Sequence, residues 1–263
     1  MPGHPLLPTM LLLRRFEERA LELHGGGEIA GFLHSCRGEE AVIAGAASVL
    51  DDGDAVLTTF RAVPWVLARG GPAEPVMAEL LGRVDGCSGG RGGATHVHDV
   101  AHGVLGGWGI PGGHAPVAAG VALSGRLALC QMTAGATAQG VVGETLALAA
   151  MWELPVVFLV TRDVAAPGPP PARTELFERS AAAGVAGLRC DGMDAGAVAR
   201  VVGEAVARVR AERRPLLVEA LIRRSVDVVG QDPEPELEAE VARVIDAAVA
   251  FARASPEPLA SAL

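Results

Sequence analysis

The second half of the chain alternates short apolar runs with helical patterns, and this constrains the fold more than any other feature. Helical periodicity over 114–123 leads to an apolar run at 126–132, then a helix over 140–152 and a run at 155–161. A loop from Pro167 to Pro171 precedes a helix over 174–183 and a short strand at 187–190. A helix over 195–212, a strand at 215–222 and a last helix over 236–254 complete the alternation. Apolar strands separated by helices belong to a parallel sheet covered on both faces. The expected class is therefore α/β, a parallel sheet with helices on both faces. Such sheets bind ligands outside the carboxyl ends of their strands. That directs attention to the segments after Thr59, Met132, Val160 and Ile222.

The first half supplies an N-terminal helical extension to what reads as one domain over 1–263. Thr9 is placed to cap a helix reaching about residue 24, with Leu12, Phe16, Ala20 and Leu23 on one face. Gly25-Gly26-Gly27 stops it. A helix over 39–50, a strand over 54–59 and helices over 63–68 and 73–81 follow. Between Gly82 and Gly113 the pattern fails: twelve glycines and no sustained periodicity. A stretch of that size inside a compact chain is usually functional or disordered. The histidines in and beside it (His96, His98, His102 and His114) favour a functional or formerly functional loop.

Composition excludes whole chemistries. All 22 basic residues are Arg, and Lys, Asn and Tyr do not occur. No Schiff-base lysine, phosphate-loop lysine or lipoyl-bearing lysine is possible. A net charge of −9 argues against a nucleic-acid partner, which needs clustered basic charge. The apolar run at 10–13 is too short for a membrane span. Four widely spaced cysteines, Cys36, Cys87, Cys130 and Cys190, form neither a disulfide framework nor a zinc pattern. A soluble cytoplasmic protein is the expectation.

Local motifs carry less. Gly107-Trp-Gly-Ile-Pro-Gly112 matches G-x-G-x-x-G, but no strand is expected before it and no acidic residue lies between Gly113 and Gly143. His96, His98 and His102 could converge on a metal; a locally bonded histidine loop is the plainer reading. Cys87-Ser88-Gly89 has no strand-to-helix elbow for a nucleophile. Arg213-Arg214 and Arg223-Arg224 are interleaved with Glu212, Glu219 and Asp227, as in a solvated mixed face.

Several ordered segments together resemble the alpha chain of the decarboxylating component of 2-oxo acid dehydrogenases, of pyruvate, branched-chain and acetoin types. They include Met10-Leu-Leu-Leu-Arg-Arg-Phe-Glu-Glu18, Gly31-Phe-Leu-His34, Gly38-Glu-Glu-Ala-Val42 and Phe60-Arg61. They continue through Val76-Met-Ala-Glu-Leu-Leu-Gly-Arg83, Gly89-Gly-Arg-Gly-Gly93, Gly109-Ile-Pro-Gly112 and Gln139-Gly140. Ala149-Ala-Met-Trp-Glu-Leu-Pro155, Asp191-Gly-Met-Asp194, Asp232-Pro233 and Ala250-Phe-Ala-Arg-Ala-Ser-Pro256 complete them. The resemblance implies a thiamine diphosphate-binding fold and a beta-type partner chain carrying the pyrimidine-binding domain, assembled as a heterotetramer. It implies cofactor contacts at Phe60, Arg61, Gly109, Pro111, Gly135, Ala136 and Asp163. It implies Mg²⁺ held through Asp163 and the backbone of Ala165, an oxygen-rich set of the kind Mg²⁺ prefers.

Against that pattern the chain departs at the site itself. The family's metal-binding Asp falls on Ala134, its Asn ligand on Asp163 and its Tyr-Arg pair on Phe60-Arg61. Two histidine positions fall on Val63 and Val228, and a serine position on Val229. Two readings follow. Either Asp163 restores the lost ligand charge and the chemistry is altered, or the chain is a non-catalytic scaffold for the beta-type chain. A histidine-loop metalloprotein is a distant alternative.

Overall fold

The computed structural model describes residues 4–166, 176–229 and 234–259. Helix α1 (Leu7–Gly25) begins two residues before Thr9, with Pro8 in its first turn and no side-chain cap. Pro fits there because its fixed φ suits a helix start and its missing N–H would have had no partner. Met10, Leu13, Phe16, Ala20 and Leu23 are buried along one side. Helix α2 (Glu40–Ala47) is buried all round and packs on a later helix, α8 (Ala195–Glu212). Gly45 allows this approach: a Cβ there would stand 2.6 Å from the Ala195 carbonyl oxygen.

Strand β1 (Ala55–Thr59), helices α3 (Val63–Ala68) and α4 (Ala73–Leu80) and strand β2 (Val104–Trp108) follow. Next come α5 (Ala115–Leu123), β3 (Ala128–Thr133), α6 (Gly140–Met151) and β4 (Val156–Asp163). Then α7 (Leu176–Ala182), β5 (Ala186–Asp191), α8, β6 (Leu216–Ile222) and α9 (Pro235–Ala254) end the described chain. The six strands form one sheet in the order β2-β1-β3-β4-β6-β5, every neighbour parallel. One core lies under α1, α2, α8 and α9, and a second, rich in alanine, under α5, α6 and α7. The α/β expectation with helices on both faces is what the structure has. No helix among the described residues is long and apolar enough to cross a membrane.

Two details differ from the expectation. Strand β2 lies inside the glycine stretch and includes Gly107, so a strand does lead into the G-x-G-x-x-G pattern. Its sequence, Val-Leu-Gly-Gly-Trp, alternates in no way a period of two would reveal; the edge strand exists because β1 templates it. Gly107 has no room for a side chain, since a Cβ would meet the Thr95 carbonyl oxygen at 2.4 Å. Strand β4 also runs two residues past 161, so Arg162 and Asp163 pair with Leu221 and Ile222. The prolines at 167–171 and the first residues of the 174–183 helix lie outside the described residues.

The first part of the glycine stretch, residues 86–93, is ordered around one buried carboxylate. Glu79, on α4 and without solvent exposure, accepts backbone N–H bonds from Ser88, Gly90, Gly92 and Gly93 at 2.7–3.0 Å. Gly86 closes on the same residue, where a Cβ would stand 2.5 Å from its Oε2. The segment therefore follows a side chain rather than a periodic hydrogen-bond ladder.

Candidate functional site at the strand ends

The carboxyl ends of β3, β4 and β6 open into a cavity of 270 Å³. Glu39, Thr133, Ala134, Gly135, Asp163 and Arg224 line it. The parallel register brings them together: Thr133 stands beside Thr161, and Asp163 beside Ile222, two residues before Arg224.

Behind the cavity runs a chain of buried polar groups. The Thr58 hydroxyl donates to the Gln131 side-chain oxygen at 2.5 Å, and the Gln131 amide donates to Thr161 Oγ1 at 3.4 Å. The Thr161 hydroxyl reaches Glu39 Oε2 at 3.4 Å. Three strands thus each place one polar residue where an apolar one would be expected, and the row ends on a carboxylate. Behind β3, His114 Nε2 donates to the Gln131 carbonyl at 2.8 Å, which fixes the tautomer because a carbonyl only accepts. Its Nδ1 is buried with no partner among the described residues, and burial lowers its affinity for a second proton.

Glu39 is 1% exposed and meets two cations. Its Oε1 lies 3.5 Å from Arg224 Nη1 and 3.8 Å from Arg61 Nη1. Burial raises its pKa, opposed by the charges of Arg61 and Arg224. Both guanidinium groups also donate to the Ser35 carbonyl, which fixes their orientation. Next in sequence, Glu40 Oε1 pairs with Arg14 Nε at 2.6 Å, and its Oε2 accepts from the Gly38 N–H.

Of the residues singled out in the sequence, Gly135 and Asp163 line this cavity. Asp163 Oδ1 accepts the Ala165 N–H at 3.0 Å, so that carboxylate oxygen is turned onto its own loop. The Ala134 carbonyl accepts the Thr137 hydroxyl at 2.7 Å. Arg61 stands one shell back, behind Glu39, and Phe60 packs on His34 with ring centroids 4.2 Å apart. Ala136 is buried in the core beneath α5 and α6, while Gly109 and Ala165 are exposed and Pro111 is half-buried; none of these four lines the cavity. Val63, Val228 and Val229 are all buried in the larger core.

The glycine-stretch histidines are held locally. His98 Nδ1 meets Ser88 Oγ at 2.9 Å, His102 Nδ1 meets Asp99 Oδ2 at 2.7 Å, and His96 Nδ1 meets the Gly107 carbonyl at 3.2 Å. Among the described residues no group of three His, Cys, Asp or Glu side chains is arranged to hold a metal.

Sequence reasoning missed Glu39, Thr58, Gln131, Thr161 and Arg224. The available signal was Gln131, an amide in the middle of an otherwise apolar strand, which has to find partners on neighbouring strands.

A parallel sheet with helices on both faces and a charged cavity at its strand ends defines an open-sheet α/β protein. The family model of the dehydrogenase E1 component matches residues 8–233, and the chain belongs to that family. It is 39% identical over 225 residues to the pyruvate dehydrogenase E1 component subunit alpha of Rhizobium meliloti (strain 1021), covering 82% of this chain and 65% of that protein. The subunit of the same name from Rickettsia felis is 36% identical over 220 residues, covering 80% of this chain and 68% of the relative. That from Porphyra purpurea is 36% identical over 260 residues, with 90% and 76% covered. The chain thus spans about two thirds to three quarters of the length of these relatives.

Proposed function

We propose that the chain is an alpha-type subunit of a thiamine diphosphate-dependent 2-oxo acid dehydrogenase-like assembly, with altered or lost cofactor chemistry. It depends on a beta-type chain, in a heterotetramer, and acts in the cytoplasm as one diphosphate-binding domain. Family membership and the names of the relatives support the first part.

The observation that carries the second part is the donor set of the strand-end cavity. Mg²⁺ with a diphosphate would need near-octahedral oxygen ligands, usually including one or two carboxylates. The family position for one of them is the Ala134 methyl group. The carboxylate of Asp163 is partly engaged by Ala165, the Ala134 carbonyl by Thr137, and both arginines by Glu39. As they stand these residues do not fit a magnesium diphosphate. Buried valines at 63, 228 and 229 add no proton donor or acceptor.

Exposed apolar surface supports dependence on a partner. Ile110, Val164 and Val226, which follow the ends of β2, β4 and β6, are exposed. Leu148, Met151 (68% exposed) and Trp152 (52%) lie on and just after α6. Exposed large apolar side chains clustered on a helix and at strand ends are what a partner chain would cover.

Co-expression with a beta-type chain, followed by calorimetry with thiamine diphosphate and Mg²⁺, tests the proposal. A stable complex is expected. Saturable cofactor binding abolished by Asp163→Ala would assign altered chemistry with Asp163 as the replacement ligand. A complex without binding would assign the scaffold role. Failure to form any complex would overturn the subunit reading.

A further inference from the structure

Two arginines, one lining the strand-end cavity and one behind it, meet the same buried carboxylate. Arg224 lines the cavity, and Arg61 stands behind it. Their shared anchor, the Ser35 carbonyl, accepts one N–H from each and so holds the two guanidinium groups side by side. Arg61 is further steadied over the Phe60 ring, 5.2 Å from its centroid. Such an arrangement, two planar forks held rigidly beside a cavity of 270 Å³, is how proteins grip phosphoryl oxygens. In this chain Oε1 of Glu39 occupies the place between the forks, at 3.5 and 3.8 Å. The Thr161 hydroxyl reaches the other Glu39 oxygen at 3.4 Å, and Glu39 is 1% exposed.

We infer that Glu39 is an internal counter-anion that neutralises a phosphate-type subsite formed by Arg61 and Arg224 and thereby keeps diphosphate out of it. The inference rests on the proposed loss or alteration of cofactor chemistry and gives that change a second cause, independent of Ala134. With Glu39 in place, the two carboxylates Glu39 and Asp163 balance the two arginines, so an incoming diphosphate finds no net positive charge. Glu39→Gln keeps the size and the bond to Thr161 while leaving one positive charge unbalanced. The cavity-facing Arg224, with Arg61 behind it, then attracts an anion without a competing carboxylate.

Inorganic diphosphate, without metal or thiamine, is the probe, titrated by calorimetry into the purified full chain at low ionic strength. The wild type should show no saturable heat. Glu39→Gln should bind at least about tenfold more tightly than the wild-type limit, the equivalent of one additional charge-assisted hydrogen bond. Glu39→Gln combined with Arg224→Ala should return to the wild-type level. If Glu39→Gln does not fold, as judged by circular dichroism, Glu39→Asp replaces it: the acid, one methylene shorter, withdraws from the forks and should give a smaller gain. Wild-type binding equal to that of the variants overturns the inference. So does the absence of binding in every folded Glu39 variant, or binding that survives Arg224→Ala. None of these outcomes bears on complex formation with a beta-type chain, so the subunit reading stands or falls separately.

Discussion

Glu79 and Glu39 are both buried glutamates of the N-terminal half, yet they are satisfied in opposite ways. Glu79 meets four backbone N–H groups and, among the described residues, no cation, and the loop that supplies them is shaped by it. Glu39 meets two guanidinium groups at 3.5–3.8 Å and one hydroxyl, beside a cavity. Backbone amides cannot leave without unfolding a segment, so a carboxylate held by them is a structural fastener. Guanidinium groups held by a separate anchor, the Ser35 carbonyl, keep their place when the acid is gone, so a carboxylate between them occupies a site that a ligand could take.

The largest expected effect follows from the fastener. Glu79→Ala leaves four buried N–H donors without a partner and should cost about 3–5 kcal/mol, since bonds to charged groups exceed neutral ones. Urea unfolding would measure it, and limited proteolysis should cut within residues 82–113. A loss below about 1 kcal/mol would mean that water replaces the carboxylate and that the loop keeps its own shape.

Glu17 extends the comparison to a carboxylate held by neutral donors but placed near other acids. It accepts the Cys36 N–H at 2.8–2.9 Å and the Ser35 hydroxyl at 2.8 Å. Burial first, then the charges of Glu40 and Glu39, outweigh these bonds and raise its pKa to about 7. The folded protein therefore keeps a proton on Glu17 between pH 4.5 and 7, where the unfolded chain has released it. Stability contributed by this group is fully present below pH 4.5 and is lost as pH rises through about 7, by at most about 3 kcal/mol. Unfolding free energies across that window should fall with pH in the wild type and flatten in Glu17→Gln. An unchanged slope in the variant would place the titration elsewhere.

The sheet was legible because most of its strands are predominantly apolar and its helices carry a period near 3.6, signals that lie within a few residues of each other. Strand β2 was not, because Gly106 and Gly107 carry no pattern and the strand is specified by the β1 edge that accepts it. At the site, the resemblance directed attention to Asp163, Gly135 and Arg61. Geometry places the first two at the cavity and the third behind a carboxylate. What stayed hidden was pairing over distance: Glu39 meets Thr161 across 122 residues, and Arg224 meets Ser35 across 189. No local spacing encodes such partners. Glu39-Glu40 reads as two ordinary charges at the start of a helix until the fold gives each a different arginine.

The cationic partners of Glu39 keep access to solvent, with side chains 15% and 30% exposed for Arg61 and Arg224. Their charges can be hydrated once the acid is gone. Glu39→Gln should therefore cost only about 1–2 kcal/mol, less than Glu79→Ala, with an offsetting gain when diphosphate is present. The difference between the two variants in urea, with and without diphosphate, measures the contrast between fastener and occupied site directly. Equal losses, insensitive to the anion, would make both glutamates structural.

Asp194 isolates the chemistry of Glu79 from its burial and supplies the smallest effect. At the start of α8 its Oδ1 accepts the N–H groups of Gly196 at 2.8 Å and Ala197 at 3.2 Å, on the surface. The bond type is that of Glu79, carboxylate to backbone amide, but water can take over when the side chain is removed. Asp194→Ala should cost about 1 kcal/mol, the usual value of a lost helix cap. Thermal unfolding of the two alanine variants in one buffer then reads the contribution of burial as the difference between them. If Asp194→Ala costs as much as Glu79→Ala, burial adds nothing to an amide-held carboxylate, and the distinction drawn between Glu79 and Glu39 would have to rest on the cations alone.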